Sequence, residues 1–77
     1  MTHKEIRVRL AQSKLVLDGW EAIGRPSGKL DDLLEMIGKE VAILERIAID
    51  HEDWVVPANF LIGRYRAFQK RLRAMAN

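Results

Sequence analysis

The fold of this chain is decided by residues 30–54, which read LDDLLEMIGKEVAILERIAIDHEDW. Apolar residues recur in this stretch at three- and four-residue spacing, the period of an α-helical face. They form two stripes: Leu30, Leu34, Ile37, Val41, Leu44 and Ala48 in the first, and Met36, Ile43, Ile47 and Trp54 in the second. Leu33 and Ile49 lie outside both. A helix that is apolar on two sides needs partners on two sides, which predicts a helical bundle.

Two joints separate this helix, placed at residues 29–53, from its neighbours. The first is the stretch GRPSG at residues 24–28. Gly24 suits the left-handed position that follows a helix, and Pro26 prevents the helix from continuing. Ser27 is predicted to cap the second helix, whose positive end is favoured by Asp31 and Asp32.

The second joint is the stretch WVVP at residues 54–57. The residue before a proline is pushed out of the α region, so Val56 is predicted to be extended. Pro57 suits the first turn of a third helix. Trp20 and Trp54 stand at helix ends, where a large aromatic side chain plugs the end of a bundle and its indole N–H finds a partner.

The flanking helices are predicted at residues 2–23 and 57–75, each with one main apolar face. The faces are Ile6, Leu10, Ser13, Leu17 and Trp20 in the first, and Leu61, Tyr65, Phe68, Leu72 and Met75 in the third, where Phe60 and Ile62 broaden the start. Gly38 and Gly63 lie in the interior of predicted helices, which indicates either a close backbone neighbour or a solvent-facing position. Short connections favour antiparallel neighbours, so the prediction is an all-α, up-down-up three-helix bundle over residues 1–77.

The length and composition of the chain limit the class of protein to which it can belong. It has 77 residues and no cysteine, so it forms one small domain without disulfides, as expected of a cytoplasmic protein. A lone domain of this size is only marginally stable, and all three helices are rich in apolar surface. We therefore expect self-association, most simply as a homodimer. No signal peptide or membrane-spanning segment is expected.

Charge is sorted along the chain in three blocks. Residues 1–30 carry a net charge of +3, residues 31–53 carry −6, and residues 54–77 carry +5 with no acidic residue. An acidic middle between basic flanks suggests helices that pair with one another within one unit. The basic tail is therefore not automatically a binding surface.

The sharpest candidate site is the basic stretch RYRAFQKRLR at residues 64–73. Such a helix can lie along phosphates, with an affinity that falls with salt. Three other interpretations compete: the cations complement the helix dipole, they form a solvated face, or they pair with acids of the second helix. Those acids are Asp31, Glu35, Glu45 and Asp53. No helix-turn-helix pattern is present, and binding to an anionic membrane is the less simple use of this helix.

The sequence contains no residue pattern typical of a catalytic, metal-binding or phosphate-binding site. Residues 50–53, DHED, point in different directions around a helix and do not converge on one metal ion. Ser13 and Ser27 have no base at recognisable spacing, and no glycine-rich phosphate loop is present. No enzyme activity, cofactor or metal is expected.

The sequence thus favours a non-enzymatic protein-binding regulator or adaptor, for instance an inhibitor that occludes its partner. Phage- or plasmid-encoded regulators are an analogy of size alone. The alternatives are a nucleic-acid-binding dimer that uses the third helix, and a small structural subunit of a larger assembly. The candidate partner-binding residues are Arg66, Lys70, Arg71, Arg73, Trp54, Met36, Ile43 and Ile47.

Overall fold

The computed structural model of the chain describes residues 1–24 and 27–75. The helices in this part of the chain are α1 (His3–Ile23), α2 (Leu30–Asp50) and α3 (Val55–Met75), with a turn of 3-10 helix at Glu52–Trp54. These residues contain no strand, so the predicted all-α class is confirmed. Pro26, predicted to stop the first helix, lies outside the described residues, as does Arg25.

Local hydrogen bonds define both ends of α1. The Thr2 hydroxyl accepts from the Glu5 N–H, and the Glu5 carboxylate accepts from the Thr2 N–H, both at 3.2 Å. This reciprocal capping box satisfies two backbone donors, and the bond from the Thr2 backbone lowers the pKa of Glu5. At the other end Gly24 has φ 90°, and its N–H donates to the Trp20 carbonyl at 2.9 Å. The predicted role of Gly24 is confirmed.

The start of α2 differs from the prediction. Lys29, not Ser27, is the residue that precedes the first helical turn, and no side chain caps the helix there. The capping role of Ser27 was wrong because Gly28, at φ 118°, turns the chain between Ser27 and the helix. Asp31 and Asp32 do lie in the first turn, next to its unpaired N–H groups.

The joint between α2 and α3 lies earlier in the chain than predicted. The second helix ends at residue 50 instead of 53, where His51 is extended with φ −133° and ψ 92°. The third helix begins at residue 55 instead of 57, so Val56 is helical and its predicted extended conformation was wrong. Pro57 fits the first turn because the N–H that proline lacks has no intrahelical acceptor there.

Contacts between the helices establish the up-down-up order. Arg9 of α1 meets Glu40 of α2 near the middle of both helices, while the rings of His3 and Trp54 lie 5.7 Å apart at one end. The helices α1 and α3 therefore run parallel to each other, and both are antiparallel to α2. The bundle measures 40 × 19 × 17 Å. Its closest packing is between α2 and α3, and α1 stands farther from both.

The core lies along the line where the three helices meet. Its buried apolar residues are Ile6, Leu10, Leu17, Leu33, Ile37, Val41, Leu44, Ile47, Ala58, Leu61, Ile62, Tyr65, Phe68 and Leu72. Leu33 is buried although the pattern placed it outside both stripes, because it lies between them, one turn before Ile37. Met75 was predicted on the core face and is 52% exposed, since it is the last residue of α3.

Substitution of glycine tests the packing of α2 and α3. A Cβ atom added at Gly38 or Gly63 would meet no atom within 4 Å, so neither glycine makes room for a backbone of this chain. Each of G38A and G63A is expected to raise the free energy of unfolding by about 1 kcal/mol, measured by urea denaturation. G24A is the matched control, and its positive φ makes it destabilising. Destabilisation by G38A or G63A would contradict the assignment.

Candidate functional site

Three of the five basic side chains of α3 are engaged in ion pairs with the other helices. Arg64 donates to Asp18 at 2.7 Å and also to Glu21, both on α1. Its side chain is only 22% exposed. Arg71 reaches the same Glu21 at 3.5 Å, and Arg66 pairs with Glu45 of α2.

These pairs change the interpretation of the basic helix. Pairing with acids of α2 was one of the interpretations that the sequence left open, and it is found for Arg66, but Arg64 and Arg71 pair with α1 instead. The signal that sequence reasoning missed is the i,i+3 spacing of Asp18 and Glu21 on one edge of α1. Hydrogen bonds from Lys14 and then Arg64 lower the pKa of Asp18. Asp18 and then Glu21 raise the pKa of Arg64.

These ion pairs reduce the positive charge that the predicted nucleic-acid surface can offer to phosphates. Of its four cations, Arg66 and Arg71 already meet carboxylates. Within residues 1–24 and 27–75, no carboxylate lies within ion-pairing distance of Lys70 or Arg73. Arg71 also lies over the ring of Phe68, 5.3 Å from its centroid, which holds the guanidinium against the bundle.

The apolar residues predicted to meet a partner separate into two groups. Ile47 is buried in the core of its own chain, because it lies on the same face of α2 as Leu44. Trp54 is half-buried, and among the described residues its buried Nε1 has no hydrogen-bond partner, unlike the prediction for helix-end tryptophans. Met36 and Ile43 are 53% and 38% exposed on the outer side of α2. Met36 and Ile43 are thus the more exposed of these residues, while Trp54 lines a groove between α1 and α3.

A partly buried polar cluster links α1, α2 and α3. Arg9 donates to the two carboxylate oxygens of Glu40 at 2.7 and 2.5 Å, and the Ser13 hydroxyl donates to Glu40 at 2.5 Å. The buried hydroxyl of Tyr65 donates to the Ser13 carbonyl at 2.6 Å. Burial, followed by the charge of Glu40, raises the pKa of Tyr65. Because Glu40 is already engaged by a guanidinium and a hydroxyl, the cluster holds the helices in register rather than presenting a free base.

A groove opens between α1 and the N-terminal half of α3, on the side of the bundle away from α2. It has a volume of about 420 Å³. Its lining, here called the Phe60 groove, consists of Arg7, Leu10, Ala11, Lys14, Trp54, Val56, Pro57, Phe60 and Leu61. Phe60 is 66% exposed and Val56 is 80% exposed, so large apolar side chains face solvent along a concave surface.

The Phe60 groove could not be predicted from the sequence. Phe60 was predicted beside the core face of α3, and the periodicity of the chain gives no reason for α1 and α3 to stand apart at this point. The separation depends on how the core side chains space the helices, which periodicity alone does not report. Two signals were available: Trp54, already named as a candidate partner contact, lines the groove, and Phe60 is an aromatic residue beside a core stripe that was already complete.

The described part of the chain contains neither a membrane-spanning helix nor a cluster of metal-ligating side chains. None of its helices has the length and hydrophobicity needed to cross a bilayer. No group of three or more histidine, aspartate or glutamate side chains there is placed to hold a metal ion. Comparison with protein-family models, curated proteins and solved structures found no match to this chain.

Tyr65 provides a direct test of the polar cluster. The raised pKa of Tyr65 means that the folded state favours the protonated phenol over the tyrosinate. The protonated side chain contributes its full stabilisation below pH about 10, the pKa of free tyrosine. This contribution is lost as the pH rises through the pKa that Tyr65 has in the folded state. Tyr65 is the only tyrosine, so ultraviolet absorbance reports its titration directly. Y65F is expected to cost about 1 kcal/mol at neutral pH and to remove this contribution to alkaline unfolding. Titration at the pKa of free tyrosine would contradict the burial.

The ion pairs of α3 predict a weak salt dependence for any binding to duplex DNA. With two cations left to neutralise phosphates, a plot of log K against log salt should have a slope of about −1.8. A slope of about −3.6, abolished by alanine at Arg66, Lys70, Arg71 and Arg73, would show that all four contact phosphates and that their carboxylate partners release them. Fluorescence anisotropy with a labelled duplex measures the slope.

Proposed function

We propose that this chain is a non-enzymatic protein-binding module, and that the Phe60 groove is its binding surface. The observation that supports this most directly is the exposure of Phe60 and Val56, at 66% and 80%, beside the groove residues Leu10 and Leu61. Contiguous exposed apolar surface on a small protein is typical of an interaction site. An aromatic side chain over a concave apolar floor is a common binding hot spot.

Nucleic-acid binding is the second candidate, and the charges favour it less. The helix that would carry it has Arg64, Arg66 and Arg71 paired with carboxylates of its own chain. Its aromatic residues Tyr65 and Phe68 are buried, so they are not available for stacking on bases. Lys70 and Arg73 remain as its candidate contacts.

A binding module of this kind would act as a regulator or an adaptor. A bundle 40 Å long that binds through one groove could occlude a surface of its partner, as an inhibitor does. Self-association remains the alternative use of apolar surface, with Met36 and Ile43 on α2 as its candidate contacts. A structural subunit would instead build ordered assemblies larger than a dimer.

Site-specific photocrosslinking tests the proposed surface. Phe60 is replaced by p-benzoylphenylalanine, and the chain is irradiated in the cells that make it. The matched control carries the same photocrosslinker at Leu15, which is 71% exposed on α1 and lies outside the groove lining. We expect a discrete adduct from position 60 that contains a second polypeptide and is absent from position 15. The mass of the adduct separates another protein from a second copy of this chain.

The outcomes decide between the candidates. A protein adduct that still forms when a lysate of these cells is irradiated at high salt supports binding through apolar contact. A nuclease-sensitive adduct, the same adducts from positions 60 and 15, or no adduct from either position would overturn the proposal. Circular dichroism of both variants verifies that the helices are intact.

A further inference from the structure

We infer that the occupant of the Phe60 groove is an amphipathic helix of another protein, with acidic residues beside its apolar stripe. The inference deepens the proposed function and rests on it. Protein binding requires only that the groove be apolar. The chemistry of the partner follows from the charges at the rim and from the shape of the groove.

The rim of the groove on the α1 side is basic. Arg7 and Lys14 line the groove, and no carboxylate belongs to its lining residues. Lys14 forms an ion pair with Asp18 at 2.7 Å, whereas no carboxylate among the described residues pairs with Arg7. A partner that buries Phe60 therefore gains by placing acidic side chains along α1.

The groove has the shape of a trough between two parallel helices. A helix is a ridge about 10 Å across, and the Arg7–Lys14 rim is about 10 Å long, so roughly two turns of a partner helix fit. Residues at i, i+3, i+4 and i+7 of that helix would place apolar side chains against Leu10, Phe60 and Leu61. Arg64, held by Asp18 and Glu21, stands one turn beyond Leu61 toward the C-terminal end of the trough.

The same observations disfavour two other occupants. In a two-fold symmetric dimer through this groove, Arg7 and Lys14 of both copies would approach one surface that offers no carboxylate in return. A flat anionic membrane could meet the exposed Val56 and Phe60 but could not follow the concave lining between α1 and α3. A helical ridge can enter that concave space.

Designed peptides test the inference. Three helical peptides of about two heptads carry the same apolar stripe, with Glu, Gln or Lys on both sides of it. Binding to the full chain is measured by fluorescence anisotropy at about 50 mM and about 300 mM salt. We expect the Glu peptide to bind at least about tenfold more tightly than the Lys peptide at low salt, with a smaller difference at high salt.

Three variants assign the effect to the groove. F60D should abolish binding of all three peptides, while L15D, an equally drastic change at an exposed apolar residue outside the groove, should leave the affinities unchanged. R7E should reduce or reverse the preference between the Glu and Lys peptides. Because Arg7 lies in the rim and outside the core, this variant should keep the fold, which circular dichroism verifies.

The failure of this inference is distinguishable from failure of the proposed function. Equal affinity for all three peptides, still abolished by F60D, would overturn the acidic partner and leave protein binding standing. The absence of any peptide binding would overturn the helical occupant, whereas a protein adduct from position 60 would still support the proposed function. Phe60-dependent binding to anionic vesicles without peptide binding, or a dimer that F60D dissociates, would replace the partner helix by a membrane or by a second copy.

Discussion

The burial of α2 is the constraint on which the rest of the structure depends. Its core residues Leu33, Ile37 and Leu44 can leave water only if other helices cover them, and α3 covers them most closely. Burial of apolar area at about 25 cal/mol per Å² is the main force available to a cysteine-free chain of this length. The position of α1 follows from what α2 and α3 leave uncovered, so α1 completes the core while standing farther from both.

Pairing of helices explains the charge blocks in part: Arg9 and Arg66 pair with Glu40 and Glu45 of the acidic block, whereas Arg64 pairs with acids of the first block. Acids of α1 and α2 meet cations of α3, with Arg64 as the most enclosed example. Exposed pairs of this kind contribute little stability, so their main effect is to favour one arrangement of the helices over others. They also leave the side of α1 that faces the Phe60 groove with cations and no acid in the groove lining. The same sorting of charge thus organises the bundle and sets the character of the proposed binding surface.

Much of the fold could be predicted because periodicity is a local property. The faces of α1 and α3 were found from spacing, and Ile6, Leu17, Tyr65 and Phe68 are buried as that spacing indicated. The ends of the helices were harder to predict, because several neighbouring residues can each start or stop a helix. A proline is accepted in a first helical turn, so Val56 became helical, and a positive-φ Gly28 moved the start of α2 beyond the reach of Ser27.

The sequence by itself determined that the chain is all-α, that three helices alternate in direction, and which faces turn inward. These properties depend on the spacing of side chains along one helix and on the length of the joints. Only the tertiary structure decided which cations meet carboxylates and where apolar surface stays exposed. Those properties depend on distances between helices, and Phe60 illustrates the difference: it lies beside the core stripe of α3, yet the gap between α1 and α3 leaves it facing solvent.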